Sequence, residues 1–202
     1  MTKAKLQVRK QQLVRDAIYD AAIELFAAKG FDETTVEEVA LAAGVSRRSF
    51  FRYYAAKDDL LAQSVVNYGT ALTAAITACP AKFTPMEVLR ATVFSGIQYT
   101  GAKPLTRQII EIAQRSPSAR QAYASRLIEV EDHVSAAYAQ RLKNTSQNQL
   151  KPRLLAHLTL SILSIAITAW FTGEYQDLST AARQVFANLT RLICDQTKVK
   201  AG

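Results

Sequence analysis

Residues 30–61 read GFDETTVEEVALAAGVSRRSFFRYYAAKDDLL, and this stretch decides the fold. Gly30 is a stop signal for a preceding helix, because a residue with no Cβ enters positive φ at little cost. Thr35 and Glu38 have capping-box spacing: the hydroxyl can accept from the amide three residues on while the carboxylate reaches back. Val36, Val39, Ala40 and Ala43 then fall on one face of a short helix, 36–43, and Gly44 ends it in a tight turn. Ser46 is an N-cap for a third helix, Arg47 to Tyr54. Helix, short glycine turn, helix is the spacing of a helix-turn-helix. Val39, Ala40 and Val45 are expected to face the core, with Ala42, Ala43 and Gly44 allowing a close crossing. Phe50 and Tyr54, four apart, pack inward.

What remains exposed on the third helix is basic and polar. Arg47, Arg48 and Arg52 carry forked donors suited to guanine O6/N7 or to phosphate. Ser46 and Ser49 are short hydrogen-bonding groups that permit close approach, and the Tyr53 phenol can donate to a phosphate. The bland alternative for these residues is a helical hairpin with a solvated basic face.

The pattern upstream and downstream is helical as well. Residues 9–29 place Ile18, Ala21, Ala22, Leu25 and Phe26 at helical spacing. Asp58-Asp59 suits the positive end of a long helix to about Ala78. Further helices are expected at 85–101, 105–115, 118–144, 150–172 and 179–197, with Pro104, Pro117 and Pro152 near three starts. The chain of 202 residues holds only 7 Gly and 5 Pro, too few turn residues for a β-sandwich or barrel. Hydrophobic residues at 49% against 21% charged exclude a disordered chain. The fold class is therefore all-α with about nine helices.

Net charge is +8, which suits a polyanionic partner, and its distribution is uneven. Residues 1–15 carry +5 with no acid, residues 16–60 carry −4 and residues 61–202 carry +7. The basic start lacks the apolar run of a secretory signal. Residues 154–172 are charge-free and long enough to span a bilayer, but His157, Ser161, Ser164 and several threonines interrupt them. A helix buried within a bundle has the same composition, so no membrane partner is expected. Cys79 and Cys194 give neither a disulfide framework nor a metal pair, and a reducing, cytoplasmic setting follows. His133 and His157 read as structural or surface residues. No HExxH, GxSxG, P-loop or dinucleotide fingerprint is present, so neither a catalytic centre, a metal nor a cofactor is expected.

The run from Gly30 to Leu61 resembles the DNA-binding domain of the TetR family of bacterial transcriptional regulators. Gly30-Phe31 followed by Thr34-Thr35, Val36 with Val39-Ala40, Ala43-Gly44-Val45-Ser46, the aromatic run ending at Tyr54, and Lys57-Asp58 with Leu60 carry the resemblance, which extends over residues 9–65. It implies an N-terminal three-helix DNA-binding domain over residues 1–56, with a basic arm. A larger helical ligand-binding and dimerisation domain would follow over 57–202. The recognition helix corresponds to Ser46–Tyr54, with Arg47, Arg48, Ser49 and Arg52 as base readers and Ser46 and Tyr53 beside them. Thr35 and Lys57 match family positions that meet phosphate. One departure is Phe51, where a tyrosine commonly stands; Phe51 offers instead apolar contact to a thymine methyl or a sugar.

The resemblance also implies a homodimer on a palindromic double-stranded operator, with recognition helices about 34–36 Å apart or a multiple. It places dimerisation in the last two helices. Leu154, Leu158, Ile162, Ile165, Phe186, Leu189 and Ile193 lie there at helical spacing, and some must serve an internal core. Phe94, Gln98, Tyr99, Ile112, Tyr123, Leu127 and Trp170 are the candidate lining of an effector pocket, although residues of these types are more often plain core than ligand contacts. Arg107, Arg115, Arg120 and Arg126 suit a small-molecule effector that is apolar with an anionic group, and the 107–126 segment resembles regulators that answer to fatty-acyl thioesters. The expected function is a ligand-responsive repressor. The alternative is a helical lipid- or acyl-thioester-binding protein without DNA function, which leaves the arginine-rich helix unexplained.

Overall fold

The computed structural model describes residues 3–101, 105–142 and 150–199, with side-chain surroundings given up to Leu192. Nine helices lie among them: α1 (Lys3–Lys29), α2 (Val36–Ala42), α3 (Arg47–Tyr53), α4 (Asp58–Ala78), α5 (Pro85–Gly101), α6 (Thr106–Arg115), α7 (Pro117–Arg141), α8 (Leu150–Phe171) and α9 (Leu178–Val199). Most ends fall where local chemistry puts them. Gly30 and Gly44 take positive φ, 102° and 66°, immediately after α1 and after the end of α2. Thr84 and Glu87 repeat the capping-box geometry before α5, with the Thr84 amide donating to the Glu87 carboxylate at 2.7 Å.

The start of α1 differs from expectation. The helix begins at Lys3 rather than at residue 9, so the basic residues from Lys5 to Arg15 are all helical, and they are exposed. Lys, Arg, Gln and Leu are all good helix formers, and no Gly or Pro interrupts them.

The chain divides into two compact units, residues 1–66 with 105–127, and residues 67–104 with 128–202. This differs from a boundary at residue 56. The first unit takes in α6 and the first turns of α7, because Ile109, Ile112 and Ala119 share one buried cluster with Ile18, Ile23, Phe26, Val39, Phe50, Leu60 and Leu61. Burial of that set is what fixes α1, α2 and α3 as a framework.

The second unit is built from α5, α8 and α9 with the later parts of α4 and α7. α8 packs against both α5 and α9. By length and composition α8 could cross a membrane, yet Leu155, Ala156, Thr159, Ile162, Leu163, Ala166 and Ala169 are buried along one side of it. That is the pattern of a helix packed into a helical unit. Between α7 and α8 the buried Tyr138 and Thr159 hydroxyls lie 2.9 Å apart, and Thr159 also donates to the Leu155 carbonyl at 2.7 Å. Gly69 permits a close approach of α4 and α7, since a Cβ there would lie 2.8 Å from a Val130 methyl.

Candidate nucleic-acid interface

α2 and α3 form the interface frame. Val39, Ala40 and Phe50 are buried, and the Val45 amide donates to the Ala40 carbonyl at 2.9 Å across the turn. The Ser46 hydroxyl accepts from the Ser49 amide at 3.1 Å and caps α3. The Ser46 and Ser49 hydroxyls are also 3.1 Å apart, with the first donating. Ser49 therefore keeps its own proton available to a ligand.

The outward face of α3 is that of the arginines. Arg47, Arg48 and Arg52 are all exposed, as is Phe51 at 45%. Arg48 has no protein partner among the described residues. Arg52 donates to the Tyr53 hydroxyl at 3.3 Å and lies 5.0 Å over that ring. Tyr53 accepts this bond and so retains its own proton for an outside acceptor such as phosphate. Arg47 pairs with Glu37 of α2, Nε to Oε1 at 2.9 Å, and sits 5.5 Å over the Phe51 ring. Phe51 in turn meets Phe50 edge-on at 5.4 Å. The structure brings Ser46, Arg47, Arg48, Ser49, Phe51, Arg52 and Tyr53 together on one short helix with its apolar side sunk into the core.

α1 secures the far end of that helix. The Arg15 guanidinium donates to the Tyr53 carbonyl at 3.0 Å, and the Tyr54 hydroxyl donates to the Arg15 carbonyl at 3.3 Å. Burial pushes the Tyr54 phenol up to about 12, so it is a donor throughout the physiological range. Arg15 belongs to the basic stretch in sequence, but in the fold it is a brace for α3.

The two expected phosphate contacts, Thr35 and Lys57, also have partners within the protein. Thr35 donates its hydroxyl proton to Glu38 at 2.8 Å while its amide donates to the same carboxylate at 2.9 Å. The Glu38 amide returns a bond to Thr35 Oγ1 at 3.3 Å, completing the box. Lys29 adds its ammonium to Glu38 at 2.6 Å. Together these hold the Glu38 carboxyl down at about 2, with Lys29 the largest cause. Lys57 donates to the carbonyls of Phe31 at 2.8 Å, Asp32 at 3.1 Å and Thr34 at 3.1 Å, and rests 4.6 Å over the Phe31 ring. All three ammonium protons are thus used inside the protein. The same loop is held from α7's start: the hydroxyls of Ser116 and Ser118, then Lys57, keep the Asp32 carboxyl below its ordinary range. Thr35 and Lys57 therefore support the loop that carries α2 into place.

Residues 18–63 match the family described as bacterial regulatory proteins, tetR family, and residues 83–193 match the MftR C-terminal domain. The chain belongs to the TetR family. Its C-terminal part is of the MftR type. Among curated relatives, the transcriptional regulator TcmR of Streptomyces glaucescens is 26% identical over 86% of this chain and 80% of its own. MftR of Mycobacterium tuberculosis, named as a mycofactocin biosynthesis transcriptional regulator, is 26% identical over 91% of this chain and 95% of its own. A TetR-family regulator from Syntrophomonas wolfei shares the fold at a TM-score of 0.68, with 17% identity over 89% of this chain and 94% of its own. This TetR-family protein is thus a helix-turn-helix transcriptional regulator, not an enzyme.

The other expected sites lie as follows in the regulator. Ile112 is buried in the first unit with Tyr123 half-buried beside the same cluster, and Leu127 is half-buried in that unit too. Phe94, Gln98, Tyr99 and Trp170 belong to the second unit, where Phe94 stacks on Phe186 at 6.0 Å and Gln98 is exposed. The four arginines are in the first unit and largely engaged. Arg107 pairs with Glu111 at 3.6 Å and Arg126 with Asp59 at 3.4 Å. Arg120 donates to the Ala113 and Gln114 carbonyls. Arg115 lines a small cleft beside Phe26, Phe31 and Ile112. Of the dimerisation candidates, Leu154 and Ile165 are exposed at 58% and 55%, Leu158, Phe186 and Leu189 are half-buried, and Ile162 faces inward. Ile193 lies outside the residues whose side chains are described. His157 meets Glu131 at 3.0 Å, and no metal-binding cluster occurs among the described residues.

Proposed function

We propose that the protein is a cytoplasmic, ligand-responsive repressor that binds a palindromic operator as a homodimer. The observation that carries the reading is the division of α3. Its aromatic side is locked into the core by Phe50, while Arg47, Arg48, Ser49, Arg52 and Tyr53 present forked and hydroxyl donors outward. An α-helix that projects such donors fits a major groove, where base edges are distinguishable. Phe51 would add apolar contact to a thymine methyl or a sugar.

Dimerisation is supported by the outer side of α8, where Leu150, Leu154 and Ile165 stand exposed at helical spacing, with Leu192 exposed on α9. Apolar residues repeated along one exposed helix side favour helix–helix association. Room for an effector exists within the second unit. A groove of about 700 Å³ is lined by Gly69, Thr73, Thr77, His133, Ala137 and Gln140. A neighbouring one of about 420 Å³ reaches Phe83, Val88 and Arg141. None of Phe94, Tyr99 or Trp170 lines either. Arg107, Arg120 and Arg126 have partners within the first unit, and an effector that is apolar with an anionic group, such as a fatty-acyl thioester, remains the class proposed. An effector that lowers operator affinity 100-fold must favour the non-binding state by about 2.7 kcal/mol.

Binding selection from random duplex DNA at about 150 mM salt tests the reading. A palindromic winner, with an affinity that falls steeply with salt, is expected. Selection that enriches no sequence from the full-length protein would overturn it and return attention to the lipid-binding alternative.

A further inference from the structure

Glu37 stands out on the arginine-bearing face because it is an acid where polyanion binding disfavours one. Its Oε1 lies 2.9 Å from Arg47 Nε. The guanidinium carbon of Arg47 also lies 5.5 Å over the Phe51 ring. Arg47 and Glu37 side chains are 66% and 57% exposed, so the pair contributes little to folding. Its consequence is orientation. A carboxylate beside Nε and a ring beneath the guanidinium restrict the rotation of a side chain that is otherwise flexible. The two terminal nitrogens make no hydrogen bond to protein among the described residues. They form the parallel fork that matches O6 and N7 of guanine.

The charge of Glu37 also acts on the ligand. A carboxylate near a phosphate backbone lowers attraction for every duplex, whatever its sequence. A group that weakens all complexes and orients the reader of one base widens the gap between right and wrong sites.

We propose that Glu37 is a positioning and specificity-determining residue that holds Arg47 for bidentate reading of one guanine in each half-site. This rests on the DNA-binding reading above. Glu37 comes from α2 and Arg47 from α3, so the helix-turn-helix geometry itself brings the pair together. Arg48 and Arg52 have no such acidic partner among the described residues, and the effect belongs to a single base position.

The test uses the full-length protein, with Glu37→Gln, Glu37→Ala, Arg47→Ala and the Glu37→Gln/Arg47→Ala pair. Each is titrated against the selected operator, its single-base variants and a random duplex, by fluorescence anisotropy. Arg47→Ala should abolish discrimination at one base pair by roughly 5- to 150-fold. Glu37→Gln should reduce discrimination at that same base pair, leave the other positions alone and raise affinity for the random duplex. The double variant should discriminate no worse than Arg47→Ala. Glu37→Gln with unchanged preference at that position, or with a loss spread evenly over all positions, overturns the inference while leaving the regulator reading intact. A wild-type protein that selects no operator overturns the reading beneath it.

Discussion

The Nζ of Lys57 lies 2.8 Å from the carbonyl oxygen of Phe31, twenty-six residues earlier in the chain. With two further carbonyls and the Phe31 ring as partners, the ammonium serves as a clamp between the start of α4 and the loop ahead of α2. Lys57→Met keeps the stem and removes the donors. It should lower unfolding free energy by about 1.5–3 kcal/mol, the usual range for hydrogen bonds to a charged group. The salt slope of DNA binding should stay nearly constant. Unchanged thermal stability together with a slope shallower by about one would return Lys57 to the phosphate backbone.

Arg48 is the contrasting case, being exposed and without a protein partner among the described residues. Arg48→Ala should change stability by no more than about 0.5 kcal/mol. Operator binding should weaken by about 1–3 kcal/mol if the guanidinium reads a base. Paired melting and anisotropy measurements separate the two quantities. Equal binding by wild type and variant would remove Arg48 from the interface.

The capping box of α2 gives the protein an acid-sensitive step. The Glu38 carboxyl is held at about 2, against an ordinary 4.5, by Lys29 and by the Thr35 amide and hydroxyl. The folded value lies below the unfolded one, so the ionised carboxylate stabilises the fold. That contribution is complete above about pH 4.5 and is lost as pH falls toward 2. Glu38→Gln should flatten this part of a stability profile followed by circular dichroism between pH 2 and 6. A profile as steep as the wild type's would show that other carboxylates govern it. Thr35→Ala should cost about 1 kcal/mol at neutral pH.

Along α8, neighbouring residues should answer differently to substitution. Leu154→Glu and Ile165→Glu alter exposed positions and should yield folded monomers in sedimentation. Ile162→Ala removes a buried side chain and should destabilise by about 2–5 kcal/mol. Leu154→Glu still sedimenting as a dimer would place the subunit interface on another face.

Helix ends in this chain were legible because their signals are local. Thr35 with Glu38, Ser46, Gly30 and Gly44 each act over a few residues, and the observed caps use the same atoms that the spacing offered. The start of α1 was less legible, since nothing in residues 3–9 forbids or terminates a helix. For the arginines from 107 to 126 the sequence shows charge but not partners. In the fold Asp59, Glu111 and the carbonyls at the end of α6 take up three of them. The placing of α6 with the DNA-binding unit depended on Ile109 and Ile112 meeting α1, a contact that helical periodicity cannot assign to one neighbour over another.

The sequence by itself determined an all-helical chain and a short arginine-bearing helix after a glycine turn, because caps and apolar periodicity are properties of near neighbours. Tertiary structure decided which basic residues are available to a ligand. Lys57 is drawn to carbonyls more than twenty residues away, Arg15 to the end of α3, and Arg47 to a carboxylate on the preceding helix. The physical reason is range: a charge is written in the residue, but its partner is set by where a folded backbone brings other polar groups within about 3 Å.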